Sequence, residues 1–315
     1  MTRVRRTDPE LMQALSTFPP LPLSPWSLAP VRAGVAAAVA AVMPTLPKFD
    51  DVTTELRTID GPGGAPPLRV RIYTPTGVRP AMGALLWLHS GGYVLDNFDA
   101  EDFDCRLRAH ELGCVVVAVA YRLAPEHPFP AQRDDAWTAW QWLLDNAAAL
   151  NVDPAHVGVG GFSSGAHLAA GLSVHAREQG QPAPAFQFLL QPMLDKDTRT
   201  AEEAGSDHLF WPRSNAIYVW QALLGDRTDV PAILTPGTVE DASVFPTTYL
   251  DTGDIDPFVD EVLAFGRRLL KAGVATELHV HAGAFHAFDV VAPMAAVTRK
   301  AATIRMNALR GLLAG

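Results

Sequence analysis

From about residue 51 onward, short apolar runs alternate with longer stretches whose apolar residues recur every three to four positions. The runs 52–59, 68–73, 84–89, 115–120, 157–161, 186–191, 247–252 and 277–281 read as strands. Several, such as Val115-Val116-Val117-Ala118-Val119-Ala120, are apolar without a break, which suits strands covered on both faces. The first two alternate polar and apolar residues and predict an antiparallel edge. Helical periodicity falls on 100–112, 131–150, 164–179, 258–272 and 292–313. This alternation predicts an α/β fold, a mostly parallel eight-stranded sheet with helices on both faces.

Two regions break the pattern. Residues 1–50 carry Pro19, Pro20, Pro22, Pro25 and Pro30 around short helical patterns. They read as an N-terminal cap segment resting on the main domain, residues 51–315. Within it, the mostly Ala and Val run 34–43 is too short for a bilayer, which needs about 20 apolar residues. It reads as a packed helix, so no stable membrane insertion is expected. Residues from about 196 to 237 hold Phe210, Trp211, Tyr218 and Trp220 and read as a helical cap insertion.

The chain has 315 residues, enough to bury a core without staples. Its formal net charge of -9 repels phosphate backbones and argues against a nucleic-acid partner. Two cysteines, Cys105 and Cys114, give no disulfide framework and suit a reducing cytoplasm. No apolar segment of the secretory type follows the basic start, which fits the same expectation.

Gly161-Phe162-Ser163-Ser164-Gly165 matches G-x-S-x-G, the sharp strand-to-helix turn that holds a nucleophilic serine clear of a sheet. A strand pattern precedes it and a helix pattern follows. By itself the match could be a turn with a Ser N-cap; the strand–turn–helix setting favours the nucleophile. After the 84–89 strand comes His89-Ser90-Gly91-Gly92-Tyr93, a glycine-rich loop suited to presenting backbone N–H groups to a developing oxyanion.

These segments, with Tyr121-Arg122-Leu123-Ala124-Pro125-Glu126-His127-Pro128-Phe129-Pro130-Ala131, resemble the hormone-sensitive-lipase family of bacterial esterases. The resemblance spans roughly residue 51 to the end and implies an α/β-hydrolase fold. It makes Ser163 the expected nucleophile and Gly91, Gly92 and Ser164 the expected oxyanion donors. It reads the Tyr121–Ala131 stretch as structural. Three positions depart from the pattern. Ser90 replaces a glycine of H-G-G-G, Phe162 stands where Asp is usual, and His167 replaces a residue more often small or an amide.

A serine nucleophile needs a base and a group to orient it, in the chain order Ser, acid, His. Asp256, in Asp256-Pro257-Phe258-Val259-Asp260-Glu261, resembles the family acid; Asp254 is the alternative. An N-cap role with Pro257 at N1 competes for Asp256, and the two neighbouring carboxylates could divide these duties. His286 is the expected base. His279 and His281 share one face of a strand and read as surface or edge polar residues. A metal site built from them with His286 lacks a fitting further ligand.

The expected chemistry is hydrolysis of short to medium acyl esters, with no cofactor or metal and a small-molecule ester as substrate. Tyr93, Phe162, Phe210 and Trp211 are candidate pocket residues, with ordinary cap packing as the competing reading. An amidase, a lactonase or a carbamate hydrolase would use the same triad. A receptor-like homologue would lack the base. A homodimer would form through an edge strand or the last helix.

Overall fold

The computed structural model describes residues 7–77, 80–196 and 210–315. Eight strands form one sheet: β1 (Val52–Ile59), β2 (Leu68–Pro75), β3 (Met82–Leu88), β4 (Val115–Ala120), β5 (Val152–Phe162), β6 (Phe186–Leu190), β7 (Thr247–Gly253) and β8 (Thr276–His281). Their order is β1-β2-β4-β3-β5-β6-β7-β8. The β1–β2 and β2–β4 pairs are antiparallel and the other pairs parallel. The alternating strands therefore lie at an edge, where one face meets water, and the unbroken apolar strands lie inside.

Helices cover both faces. α3 (Asp102–Leu112) lies on one side; α4 (Ala131–Asp145) and α5 (Ser164–Glu178) lie on the other. After α6 (Arg213–Leu224) the chain adds α7 (Val259–Lys271), the short α8 (Phe288–Val291) and α9 (Ala296–Ala314). α7 sits with α4 and α5, α9 with α3. α7 buries Val259, Val262, Phe265 and Leu269, one stripe at helical spacing. α5 instead is buried at every residue from Ser164 to Ala176. It lies between the sheet, α4 and the turns at 232–238, so small residues replace a polar face.

The predicted pattern extends a little too far at 131–150, where helix ends at Asp145 and turns follow. The run 34–43 needs a larger correction. It belongs to a longer helix, α2 (Leu28–Val42), preceded by α1 (Pro9–Thr17). Pro30 lies in the first turn of α2, where its missing N–H costs nothing. Within α2 only Leu28 is buried, so the helix is not packed as expected. The stretch Leu28–Thr45 is long and apolar enough to cross a membrane by length and composition. α2 is tied down by Arg32, which donates to the Val94 and Ala124 carbonyls at 2.6 and 2.9 Å and pairs with Glu126. Asn215 of α6 donates to Leu21 O and accepts from Leu23 N, tying the N-terminal segment to the insertion. Residues 197–209 of that insertion lie outside the described residues.

Candidate active site

Sheet order puts β5 in the middle, and Ser163 follows its carboxyl end, where open α/β sheets bind ligands. Ser163 has φ 55° and ψ -116°, a strained conformation for a residue with a side chain. The flanking glycines are steric requirements. A Cβ on Gly165 would lie 1.9 Å from Leu88 O, and one on Gly161 2.4 Å from the Gly165 carbonyl carbon. The motif thus records how closely the turn approaches the end of β3.

Ser163 Oγ lies 2.9 Å from His286 Nε2, and His286 Nδ1 lies 2.8 Å from Asp256 Oδ2. All three residues are buried. Asp256 follows β7, and His286 sits in the loop after β8. Asp256 Oδ1 also accepts the Phe258 N–H at 2.8 Å. One carboxylate therefore serves both the turn and the histidine, where a division between two neighbours was open. Asp254 faces elsewhere, its Oδ1 accepting the Gly283 N–H at 2.7 Å.

Gly91, Gly92 and Tyr93 all have positive φ, at 113°, 60° and 65°. A Cβ on Gly92 would lie 2.7 Å from Val219 Cγ1 and 3.1 Å from Trp211 Cη2. Among the described residues, none accepts a hydrogen bond from the Gly91, Gly92 or Ser164 N–H. Ser164 also opens α5, whose amino end carries partial positive charge. The loop is buttressed by Tyr121, whose hydroxyl donates to His89 O at 2.6 Å and whose ring stacks on His89.

Three rings surround the His286 imidazole. Phe162 stacks at 5.8 Å, Phe258 meets it edge-on at 4.9 Å, and Trp211 lies at 6.0 Å. Sequence reasoning missed Phe258, although its place two residues after Asp256 is a usable signal. Phe210 instead packs edge-on against Phe18, at 5.3 Å. Tyr93 is buried and donates its hydroxyl to His167 Nδ1, while His167 Nε2–H donates to Leu234 O at 3.1 Å. Burial without a counter-charge pushes His167 down to about 4, so it stays neutral. A cavity of about 630 Å³ under α2, lined by Val39, Met43, Leu95 and Arg106 among others, includes none of the Ser163 cluster.

His281 is not a surface residue. It is buried, and its Nε2 lies 3.2 Å from Asp251 Oδ2. Arg305 Nε donates to the same oxygen at 2.6 Å. Burial by itself raises the Asp251 carboxyl; Arg305 and His281 outweigh it and hold it at about 2. Arg305 also pairs with Asp289, and Gln191 Nε2 reaches Asp289 at 3.3 Å. Gln191 Oε1 accepts the Ala287 N–H at 2.7 Å, next to His286. A buried polar network thus braces the loop that carries His286.

Comparison with known proteins agrees with this architecture. Residues 85–290 match a family model described as the alpha/beta hydrolase fold. The chain is 34% identical over 299 residues to the carboxylesterase NlhH of Mycobacterium tuberculosis, covering 92% of each protein. It is 36% identical over 228 residues to an ethyl acetate hydrolase of Pseudomonas putida, covering 70% of this chain and 71% of that one. Among solved structures it superposes on a bacterial heroin esterase with a TM-score of 0.93, 36% identity and 98% coverage of each chain.

Proposed function

This chain belongs to the hormone-sensitive-lipase type of the α/β-hydrolase fold family, and we propose that it is a carboxylesterase that hydrolyses short to medium acyl esters through an acyl-enzyme on Ser163. One observation carries the reading: the hydrogen-bonded chain Ser163–His286–Asp256 stands at the centre of the sheet beside the Gly91, Gly92 and Ser164 N–H groups, which have no acceptor among the described residues.

In the proposed reaction, His286 Nε2 accepts the Ser163 proton as Oγ attacks the ester carbonyl. The Gly91, Gly92 and Ser164 N–H groups hold the oxyanion; removing one such donor typically costs about 3 kcal/mol of barrier. His286 then protonates the leaving alcohol. Water, activated by the same imidazole, cleaves the acyl-enzyme. Asp256 holds Nδ1–H and stabilises the imidazolium. These steps need no metal or cofactor.

Phe162, Trp211 and Tyr93 are assigned to the acyl pocket, since two of them touch His286 and the third belongs to the oxyanion loop. The ethyl acetate hydrolase among the relatives supports a short acyl group. The esterase names of the relatives favour an ester over an amide, lactone or carbamate. Cys105 and Cys114 are free and buried, and burial pushes both thiols up; this supports a reducing, cytoplasmic setting.

Hydrolysis of p-nitrophenyl esters of increasing acyl length, by wild type and Ser163→Ala in parallel, tests the reading. Turnover of short and medium esters that disappears in the variant is expected. Turnover that survives Ser163→Ala, or a folded wild type inactive on every ester, would overturn it.

A further inference from the structure

Behind the glycine-rich loop lies a carboxylate that the reaction does not touch. Glu101 precedes α3 and is buried. Its Oε1 accepts the Ser90 N–H at 2.8 Å and the Ser90 hydroxyl at 2.6 Å. Its Oε2 accepts the Trp87 indole N–H at 2.6 Å. Asn97 Nδ2 donates to Ser90 Oγ at 2.9 Å, which leaves that hydroxyl proton directed at Glu101. On its other side, the Trp87 ring meets the Arg108 guanidinium at 4.0 Å. One side chain therefore ties the end of β3, the residue before Gly91 and the start of α3.

We propose that Glu101 is a positioning residue for the oxyanion loop, its carboxylate gripping the Ser90 main chain and hydroxyl so that the Gly91 and Gly92 N–H groups converge on the carbonyl attacked by Ser163. This rests on the esterase reading above. Ser90 is the position where this chain departs from H-G-G-G, and the departure supplies the hydroxyl that Glu101 and Asn97 share. Gly91 and Gly92 have positive φ and little side-chain anchoring of their own, so the preceding peptide plane sets their direction. An N–H displaced by a fraction of an ångström loses much of its effect on the oxyanion.

Three donors converge on it and, among the described residues, no acceptor is hydrogen-bonded to it, as suits an ionised carboxylate. Burial works against that form and, despite the Ser90 and Trp87 donors, pushes Glu101 up to about 7. The titratable groups facing it are Asp104 and Cys105 of α3 and Tyr121 after β4, with the Arg108 guanidinium held over the Trp87 ring. Among the described residues, no cation forms an ion pair with it. The grip therefore strengthens as pH rises through neutrality.

The test compares wild type with Glu101→Gln on p-nitrophenyl acetate from pH 5.5 to 9, with active sites counted by stoichiometric p-nitrophenol release from a p-nitrophenyl phosphonate. The glutamine NH₂ must face one of the donors, so at least one of the three contacts becomes a donor–donor clash while size is kept. The expected wild-type to variant ratio of kcat per active site rises from within about threefold at pH 5.5 to about 30-fold or more at pH 8.5, with KM within about threefold. Taking the ratio cancels any pH dependence common to both proteins. A ratio independent of pH, an unchanged kcat, or a loss confined to KM would overturn the proposal. If Glu101→Gln does not fold, Ser90→Ala carries the test: kcat reduced about threefold or more at unchanged KM supports it, and wild-type kcat overturns it. Ser163→Ala in the same series separates the two readings. Activity surviving there defeats the esterase mechanism itself; its loss, with an unaffected Glu101→Gln, defeats only the role of Glu101.

Discussion

Replacing Asp256 by asparagine exchanges one carboxylate oxygen for an NH₂, and the structure dictates which oxygen it must be. Asp256 Oδ1 accepts the Phe258 N–H and Oδ2 accepts the His286 Nδ1–H, both at 2.8 Å, and the carboxylate is fully buried. Asparagine has one acceptor. The Phe258 N–H is fixed in the backbone and cannot change its role, so the amide oxygen must serve it. The amide NH₂ then faces Nδ1. Imidazole can accept there only by moving its proton to Nε2, and Nε2–H cannot take the proton of Ser163. The variant therefore holds the wrong tautomer in nearly unchanged geometry. In a serine protease the same carboxylate-to-amide change lowers kcat by about 10⁴-fold, equivalent to about 5.5 kcal/mol of barrier. The same magnitude is expected here at neutral pH. Asp254→Asn is the internal control. Asp254 Oδ1 accepts the Gly283 N–H, and an asparagine oxygen can do the same. Its kcat should fall less than about tenfold. Initial rates on p-nitrophenyl acetate, normalised to folded protein by circular dichroism, provide the assay. A loss below about tenfold in Asp256→Asn, or an equal loss in Asp254→Asn, would refute the tautomer argument.

Four further outcomes follow from the same structure. Asp251→Ala leaves Arg305 buried without its main partner and should cost about 3–5 kcal/mol, read from urea unfolding, whereas Asp251→Leu combined with Arg305→Met should recover most of it; equal losses would contradict this. Because Asp251 is held at about 2, below its ordinary 3.8, its contribution is present above pH 3.8 and lost as pH falls through 2; it amounts to about 2 kcal/mol and should be missing from the acid-stability profile of Asp251→Leu/Arg305→Met. Gly165→Ala, whose Cβ would sit 1.9 Å from Leu88 O and 2.5 Å from His89 O, must displace the elbow or the oxyanion loop and should lower kcat about 10²-fold, and a loss below tenfold would show that the turn has room. Trp211→Ala removes the ring beside Gly92 and His286 and should move the preferred acyl chain to greater length in the p-nitrophenyl ester series; an unchanged profile would place Trp211 outside the pocket.

The strand pattern was legible because it is local. A β-strand covered on both faces, such as 115–120, needs an unbroken apolar run, and nothing distant alters that requirement. The elbow was legible for a similar reason: its glycines answer a clash between neighbouring main chains that recurs wherever a strand turns this sharply into a helix. His286 could be singled out by chain order and its loop position. The 34–43 run shows where local reading stops. Its composition resembles a buried helix, yet burial depends on what the rest of the chain offers, and only Leu28 of α2 found cover.

What the sequence determined by itself was the order of strands and helices, the serine at its turn and the set of residues able to act on an ester. The tertiary structure decided which polar groups meet. Asp254 and Asp256 are two residues apart, and the direction of the turn after β7 sends one to Gly283 and the other to His286. His281 became a core residue because sheet order sets β8 against Asp251 of β7, with α9 bringing Arg305 to the same carboxylate. Glu101 meets Ser90 and Trp87 because α3 packs back against the sheet, a contact with no local periodicity to announce it. Apolar burial follows composition and period within a segment. A buried charge is tolerable only where a partner from another segment reaches it, and that partner is chosen by topology.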